Sequence, residues 1–170
     1  MTKPFYVSFV VPGNPFGKQT NRTPKNSFRH FTPAETKAYQ DRVGLLAMKA
    51  MRGQPMQKKG VDLGLMFVAV FPIPKKFTKA QRAAALADDI RPTKKPDNSN
   101  IQKALEDGMN GVVYHDDCQI TESGGSKKIY GEIPCVKVCV YDRKAFDIFV
   151  VIKGAELDTA LTTTKESENV

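Results

Sequence analysis

Apolar positions change period along this chain, and the changes mark its elements. Phe5 to Val11 is a β-branched and aromatic run that reads as a first strand, broken by the turn residues Pro12 to Gly17. Lys18 to His30 carries no apolar period. Tyr39, Val43, Leu46, Ala47, Ala50 and Met51 then recur at helical spacing. Thr32, Pro33 and Glu35 predict an N-cap, a first helical residue and a capping box for this helix, and Gly53 its end. Val61, Leu63, Leu65, Phe67, Ala69 and Phe71 alternate along a long strand. Met66, Val68 and Val70 make its other face apolar too, so burial on both sides is expected.

Thr78 to Gln81 opens a short alanine-rich helix that ends near Asp88. Arg91 to Pro96 is a basic linker whose prolines hold the preceding residues extended. A third helix is expected from about Asn98 to Asn100, with Ile101, Ala104, Leu105 and Met109 as its inner stripe and Asn110-Gly111 as its stop. Val112 to Tyr114 reads as a short strand leading to an acidic turn at Asp116-Asp117. Gln119–Ser123 and Lys127–Ile133 flank Gly124-Gly125 as an expected hairpin. Cys135 to Tyr141 alternates as the last strand of the main sheet. Residues 146–152 give a further strand candidate, and the tail from Asp158 is polar and expected to fray. The pattern places strands and helices together in one chain.

Composition narrows the partners. The chain has 170 residues, one domain's worth, and a net charge of +8. Its pI near 9.4 points to nucleic acid or another anionic surface. The longest apolar run, Leu63 to Phe71, is far shorter than the about 20 residues of a membrane helix. Met1 leads directly into the first strand with no signal peptide visible, so a cytoplasmic protein is expected. Cys135 and Cys139 would stand roughly 13 Å apart on one strand face, beyond disulfide reach. With Cys118 they read as reduced thiols, and zinc-ligand spacing is absent.

The chemistry concentrates between Lys95 and Asp117. Asp97 precedes the third helix, Lys103 lies within it, and Asp116 and Asp117 follow it. Asp97 has an ordinary role available as an N-cap, and Lys103 and Asp107 can pair at i,i+4. Carboxylates repel phosphate, however, and their placement in a basic chain makes sense with a divalent cation bridging the two. A nearby lysine supplies fixed positive charge for a transition state. Lys18, Arg22, Lys25 and Arg29 on the early loop, with Lys94 and Lys95 before the motif, read as a phosphate path.

The run Lys95-Pro96-Asp97, Asn100, Lys103, Asp107, Asn110-Gly111-Val112, Asp116-Asp117 and Gln119-Ile120 resembles the signature of the RusA-like Holliday junction resolvases, crossover junction endodeoxyribonucleases of phages and bacteria. The likeness spans about Phe5 to Tyr141, so residues 1–141 are expected to form the resolvase domain and 142–170 an extension. It implies an α+β fold, a single domain with helices packed on a mixed sheet, and a homodimer acting on four-way DNA junctions in recombination and repair, with magnesium (or manganese in its place) and no nucleotide cofactor. It implies that Asp97 and Asp117 are catalytic metal ligands, with Asp116 a further candidate ligand and Lys103 the catalytic lysine. The family's middle ligand position is an aspartate, and here it is Ser99. A hydroxyl is a poorer magnesium ligand than a carboxylate. An alternative therefore stands beside the enzyme: a junction- or duplex-binding protein with weak or no nuclease activity.

Overall fold

The computed structural model describes residues 4–19 and 32–146. In chain order these residues form β1 (Tyr6–Pro12), α1 (Ala34–Met51), β2 (Leu63–Pro72), α2 (Lys79–Leu86), α3 (Asn98–Met109), a 3₁₀ turn (Asp117–Gln119), β3 (Ile120–Glu122), β4 (Lys127–Gly131) and β5 (Cys135–Asp142). The strands make one mixed five-stranded sheet in the order β1-β5-β2-β3, with β4 also on β2. β5 is antiparallel to β1 and β2, while β3 and β4 are parallel to β2. The α+β expectation is met.

The alternation along β2 decides the layering. Leu63, Leu65, Phe67 and Ala69 join the main core, where α1 contributes Tyr39, Val43, Ala47 and Met51 and α3 contributes Ile101, Ala104, Leu105 and Met109. The opposite face holds a smaller cluster of Met66, Cys139 and Tyr141, with Tyr6 and Phe146 packed against it. β2 is thus buried on both sides, as its sequence predicts. Ile101, Leu105 and Met109 are wholly buried. Each such side chain stabilises by about 1.5–3 kcal/mol, against about 0.2–0.5 for a helical i,i+4 pair. The inner stripe, and not its ion pairs, therefore sets where α3 lies.

Three local expectations are corrected. α1 begins at Ala34 with Pro33 as its N-cap and no side-chain capping bond, so the Thr32–Glu35 box does not form. Glu35 instead accepts a hydrogen bond from Gln19 Nε2 at 3.1 Å. The box does form at α2, between Thr78 and Gln81. Residues 112–114 are a turn, in which Val113 and Tyr114 plug the core and Tyr114 bridges to Gln57 and Asn110.

The Gly124-Gly125 segment is not a hairpin. β3 and β4 run in the same direction and share one edge of β2, with Glu122 opposite Gly64 and Lys127 opposite Val68. One more residue lies between Glu122 and Lys127 than between their partners, so the chain steps outward there, through Gly125 at φ +76°. In the gap the Phe67 N–H donates to Ser126 Oγ at 3.2 Å. The strand candidate at 146–152 lies, beyond Phe146, outside the described residues. None of the three cysteines is in a disulfide; Cys135 and Cys139 are buried and Cys118 is exposed.

Candidate active site

α3 carries both ends of the site. At its entry Asp97 is the N-cap, the local role its position already allowed. Its Oδ1 accepts from the Asn100 N–H at 2.9 Å and from Ser99 Oγ at 3.0 Å, and its Oδ2 from Asn100 Nδ2 at 3.1 Å. The Asn100 N–H first, and then the Ser99 hydroxyl, hold the Asp97 carboxyl below the usual carboxylate range. The nearby charge on Lys128 adds to this. Lys128, from β4, donates to the carbonyls of Lys94 at 2.7 Å and Pro96 at 3.1 Å, and its ammonium lies 5.6 Å from the Phe71 ring centre. The Lys95–Pro96 bond is cis.

The loop after β1 closes on this entry. A Cβ on Gly17 would stand 2.5 Å from Pro96 Cβ, so only glycine permits the approach. The approach lets the Lys18 N–H donate to the Asn100 carbonyl at 2.9 Å. Phe16 stacks on Tyr39 of α1 at 5.1 Å, which anchors the loop from behind.

Deeper along α3, Lys103 faces acids from two elements. Its ammonium donates to the Asp117 carboxylate of the 3₁₀ turn. It also stands 3.5 Å from Asp107 and 3.9 Å from Glu106. The bond to Asp117 pushes the Lys103 pKa up, against the opposing effect of burial, and Asp107 and Glu106 add to the rise. Asp107 accepts from Gln40 Nε2 at 2.9 Å and pairs with Lys18 Nζ at 2.6 Å. Gln40 reaches Asp107 because α1 and α3 cross at glycines. A Cβ on Gly108 would come within 2.8 Å of the Gln40 carbonyl, and one on Gly44 within 2.8 Å of the Gly108 carbonyl.

Asp117 reaches Lys103 through a braced turn. Asp116 caps it, accepting from the Cys118 N–H at 3.0 Å, and that bond lowers the Asp116 carboxyl. Gln119 is buried; its Oε1 accepts from the His115 N–H at 3.0 Å and its Nε2 donates to the carbonyls of Lys58 and Val61, at 2.9 and 3.2 Å. This ties the acidic turn to the segment that enters β2. A hydrogen bond between the Cys118 thiol and the Asp116 carboxylate pushes the thiol up.

The structure brings Lys18 and Lys103 together on Asp107, and Lys103 in turn holds Asp117. Asp97 and Ser99 bond to each other at the helix entry, and Asp116 is occupied with its own turn. Among the described residues no group of three or more His, Cys, Asp or Glu side chains is arranged to hold a metal ion. Lys94 and Lys95 are exposed beside Asp97, whereas Arg22, Lys25 and Arg29 lie outside the described residues.

Glu106 is a site residue the sequence reading passed over. Its side chain is only 12% exposed, burial pushes its carboxyl up, and Gln102 Nε2 donates to it at 2.8 Å. Its signal was a charge beside Leu105 on the buried side of an otherwise apolar stripe. Of the two braces, Gln119 belonged to the motif without its role being read, and Gln40 carried no comparable local signal.

No helix among the described residues is long and apolar enough to cross a membrane. Over 144 residues the chain is 31% identical to an uncharacterized protein, YqaN, of Bacillus subtilis (strain 168), covering 82% of this chain and 98% of the relative. Residues 12–141 match the endodeoxyribonuclease RusA family, a span that holds α1, β2, α3 and the acidic turn, and the chain belongs to that family.

Proposed function

We propose that this protein is a magnesium-dependent, structure-selective endonuclease that resolves four-way DNA junctions by paired phosphodiester cuts in recombination and repair. The observation that carries the reading is the contact between Lys103 of α3 and Asp117 of the following turn, two residues from separate elements that the fold brings together. Family membership supplies the reaction class. A homodimer acting in the cytoplasm completes the proposal, since two symmetric cuts require two sites and a two-fold protein suits a two-fold substrate.

The donor set suits a hard ion. Asp97, Asp117 and Asp116 offer oxygen ligands only, and magnesium usually takes one or two carboxylates and completes its shell with water and substrate phosphate. Asp97 and Asp117 would hold it, with Asp116 as a further ligand and manganese as a substitute. When bound, such an ion polarises the scissile phosphate and lowers the pKa of attacking water. The protein's own share is electrostatic: Lys103 places positive charge where negative charge accumulates. Lys18, Arg22, Lys25, Arg29, Lys94 and Lys95 contact backbone phosphates and give salt-dependent affinity without sequence reading.

One observation favours the second reading, a junction- or duplex-binding protein with weak or no nuclease activity. Ser99 stands where the family has a carboxylate, and its hydroxyl donates to Asp97. The residue therefore occupies a ligand oxygen and supplies none of its own charge. The deciding experiment is a synthetic four-way junction with magnesium, manganese or chelator. Paired nicks that require the metal support the nuclease. Tight binding to junction or duplex with intact strands supports the second reading, and weak affinity for both DNAs without nicking overturns both readings.

A further inference from the structure

The two lysines that face the site meet on a single carboxylate. Lys18 Nζ stands 2.6 Å from Asp107 Oδ2, and Lys103 Nζ stands 3.5 Å from its Oδ1. Gln40 Nε2 donates to Oδ2 at 2.9 Å, so β1's loop, α1 and α3 converge on one side chain. The Asp107 side chain is 18% exposed, less than Lys18 at 29% or Lys103 at 43%. An isolated surface ion pair would order little, because both partners remain free to move. This carboxylate is held by an amide from a neighbouring helix, and the glycine crossing of α1 and α3 fixes that amide. Lysine is a point charge on a flexible four-carbon stem and needs such a reference to act at a defined place.

We propose that Asp107 is a positioning residue that sets Lys18 and Lys103 as one two-cation clamp for a backbone phosphate of the DNA. The identity of the polyanion rests on the function proposed above; the clamp rests on the three contacts to Asp107. Gln40 is the brace behind it.

The test measures the clamp without cutting and then with it. In chelator, affinity for a synthetic four-way junction is measured for Lys18→Gln, Lys103→Gln and the double variant, each with Asp107 intact and with Asp107→Asn. With Asp107 present the two losses are expected to depart from multiplicativity by at least about threefold, and with Asp107→Asn they are expected simply to multiply. In magnesium, Asp107→Asn is expected to cut about 10- to 100-fold more slowly in single turnover while junction affinity is unchanged or tighter. Asp107→Glu, which keeps the charge, is expected to recover part of the rate. Gln40→Leu provides a second route to the same loss should Asp107→Asn fold poorly. Coupling that survives both Asp107→Asn and Gln40→Leu overturns the proposal, as does faster cutting by Asp107→Asn, which would mark Asp107 as a competitor of phosphate. If the unmodified protein leaves junctions intact while the coupling still depends on Asp107, the clamp stands and the nuclease reading falls.

Discussion

The two ends of α3 solve opposite electrostatic problems. At the entry, Asp97 receives three hydrogen bonds from the neutral groups of Ser99 and Asn100, and the charge of Lys128 adds a smaller contribution. Two turns on, Lys103 is surrounded by the acids Glu106, Asp107 and Asp117. One end thus stabilises a negative charge with dipoles, and the other stabilises a positive charge with negative ones. Dipoles are fixed by the helix and do not titrate, so the entry is set by backbone geometry. The interior depends on ionisation and on side chains from α1, the β1 loop and the acidic turn. The first arrangement is local and robust, whereas the second exists only once the tertiary fold is complete.

Breaking the charged end should produce the largest effect. Asp117→Asn is expected to slow single-turnover junction cleavage by at least about a hundredfold in magnesium. Binding, measured by gel shift in chelator, should persist or tighten because a charge that repels phosphate is gone. Parallel loss of binding and cutting would show that Asp117 serves the fold and not the reaction.

Adding charge to the neutral end sharpens the comparison from the other side. Ser99→Asp should lower the magnesium midpoint of cleavage by about three- to tenfold, since ligand charge count tunes the affinity of such sites. Aspartate at the first turn also suits the helix dipole, so melting should change little. Identical magnesium titrations for the two proteins would show that Asp116 or a neighbouring carboxamide already serves.

Gly108→Ala tests whether the interior end depends on helix packing. Its methyl would meet the Gln40 carbonyl and Val43 Cβ at 2.8 Å, and overpacking of this kind costs about 1–3 kcal/mol. Thermal melting should fall by several degrees, and the Lys18–Lys103 coupling should weaken while the Asp97 cap is untouched. Unchanged melting would mean that the crossing relaxes freely.

The smallest effect concerns Glu106. Burial raises its folded pKa above the unfolded value near 4.3, so the folded protein holds this proton more tightly. The associated stability is full below about pH 4 and is lost as pH rises through the folded value. Glu106→Gln should therefore melt slightly higher than the parent at neutral pH, with the gap closing toward pH 4. A gap that widens in acid would reverse the sign and show that ionised Glu106 stabilises the fold through Lys103.

What the sequence revealed follows the same division. The limits and inner stripe of α3 were legible because a 3.6-residue period and a capping aspartate are properties of neighbours in the chain. β2 was legible as a strand buried on both faces for the same reason. The partners of strands are not neighbours, and two short runs around Gly124-Gly125 fit a hairpin as well as a divided parallel edge. Only the empty edge of β2 decides between them. At α1, Gln19 competes for Glu35 across the β1 loop, which no local pattern announces. Within the site, Asp97, Lys103 and Asp117 were readable as a motif. The Lys103–Asp107 pair was also readable from its i,i+4 spacing, but that Lys18 joins it was not, because Lys18 arrives on the β1 loop through the close approach at Gly17, far away in the chain.

The divided edge beside β2 also has a consequence for how this molecule can change over time. β3 continues directly from the braced acidic turn, while β4 carries Lys128, which grips the carbonyls next to Asp97. The outward step at Gly124-Gly125 is a seam between those two duties. Residues inserted or lost at the seam would slide neither flank along β2, since each flank has its own register and Ser126 covers the gap. The two halves of the site are thereby mounted on separately adjustable parts, and a lineage can retune one without rebuilding the other.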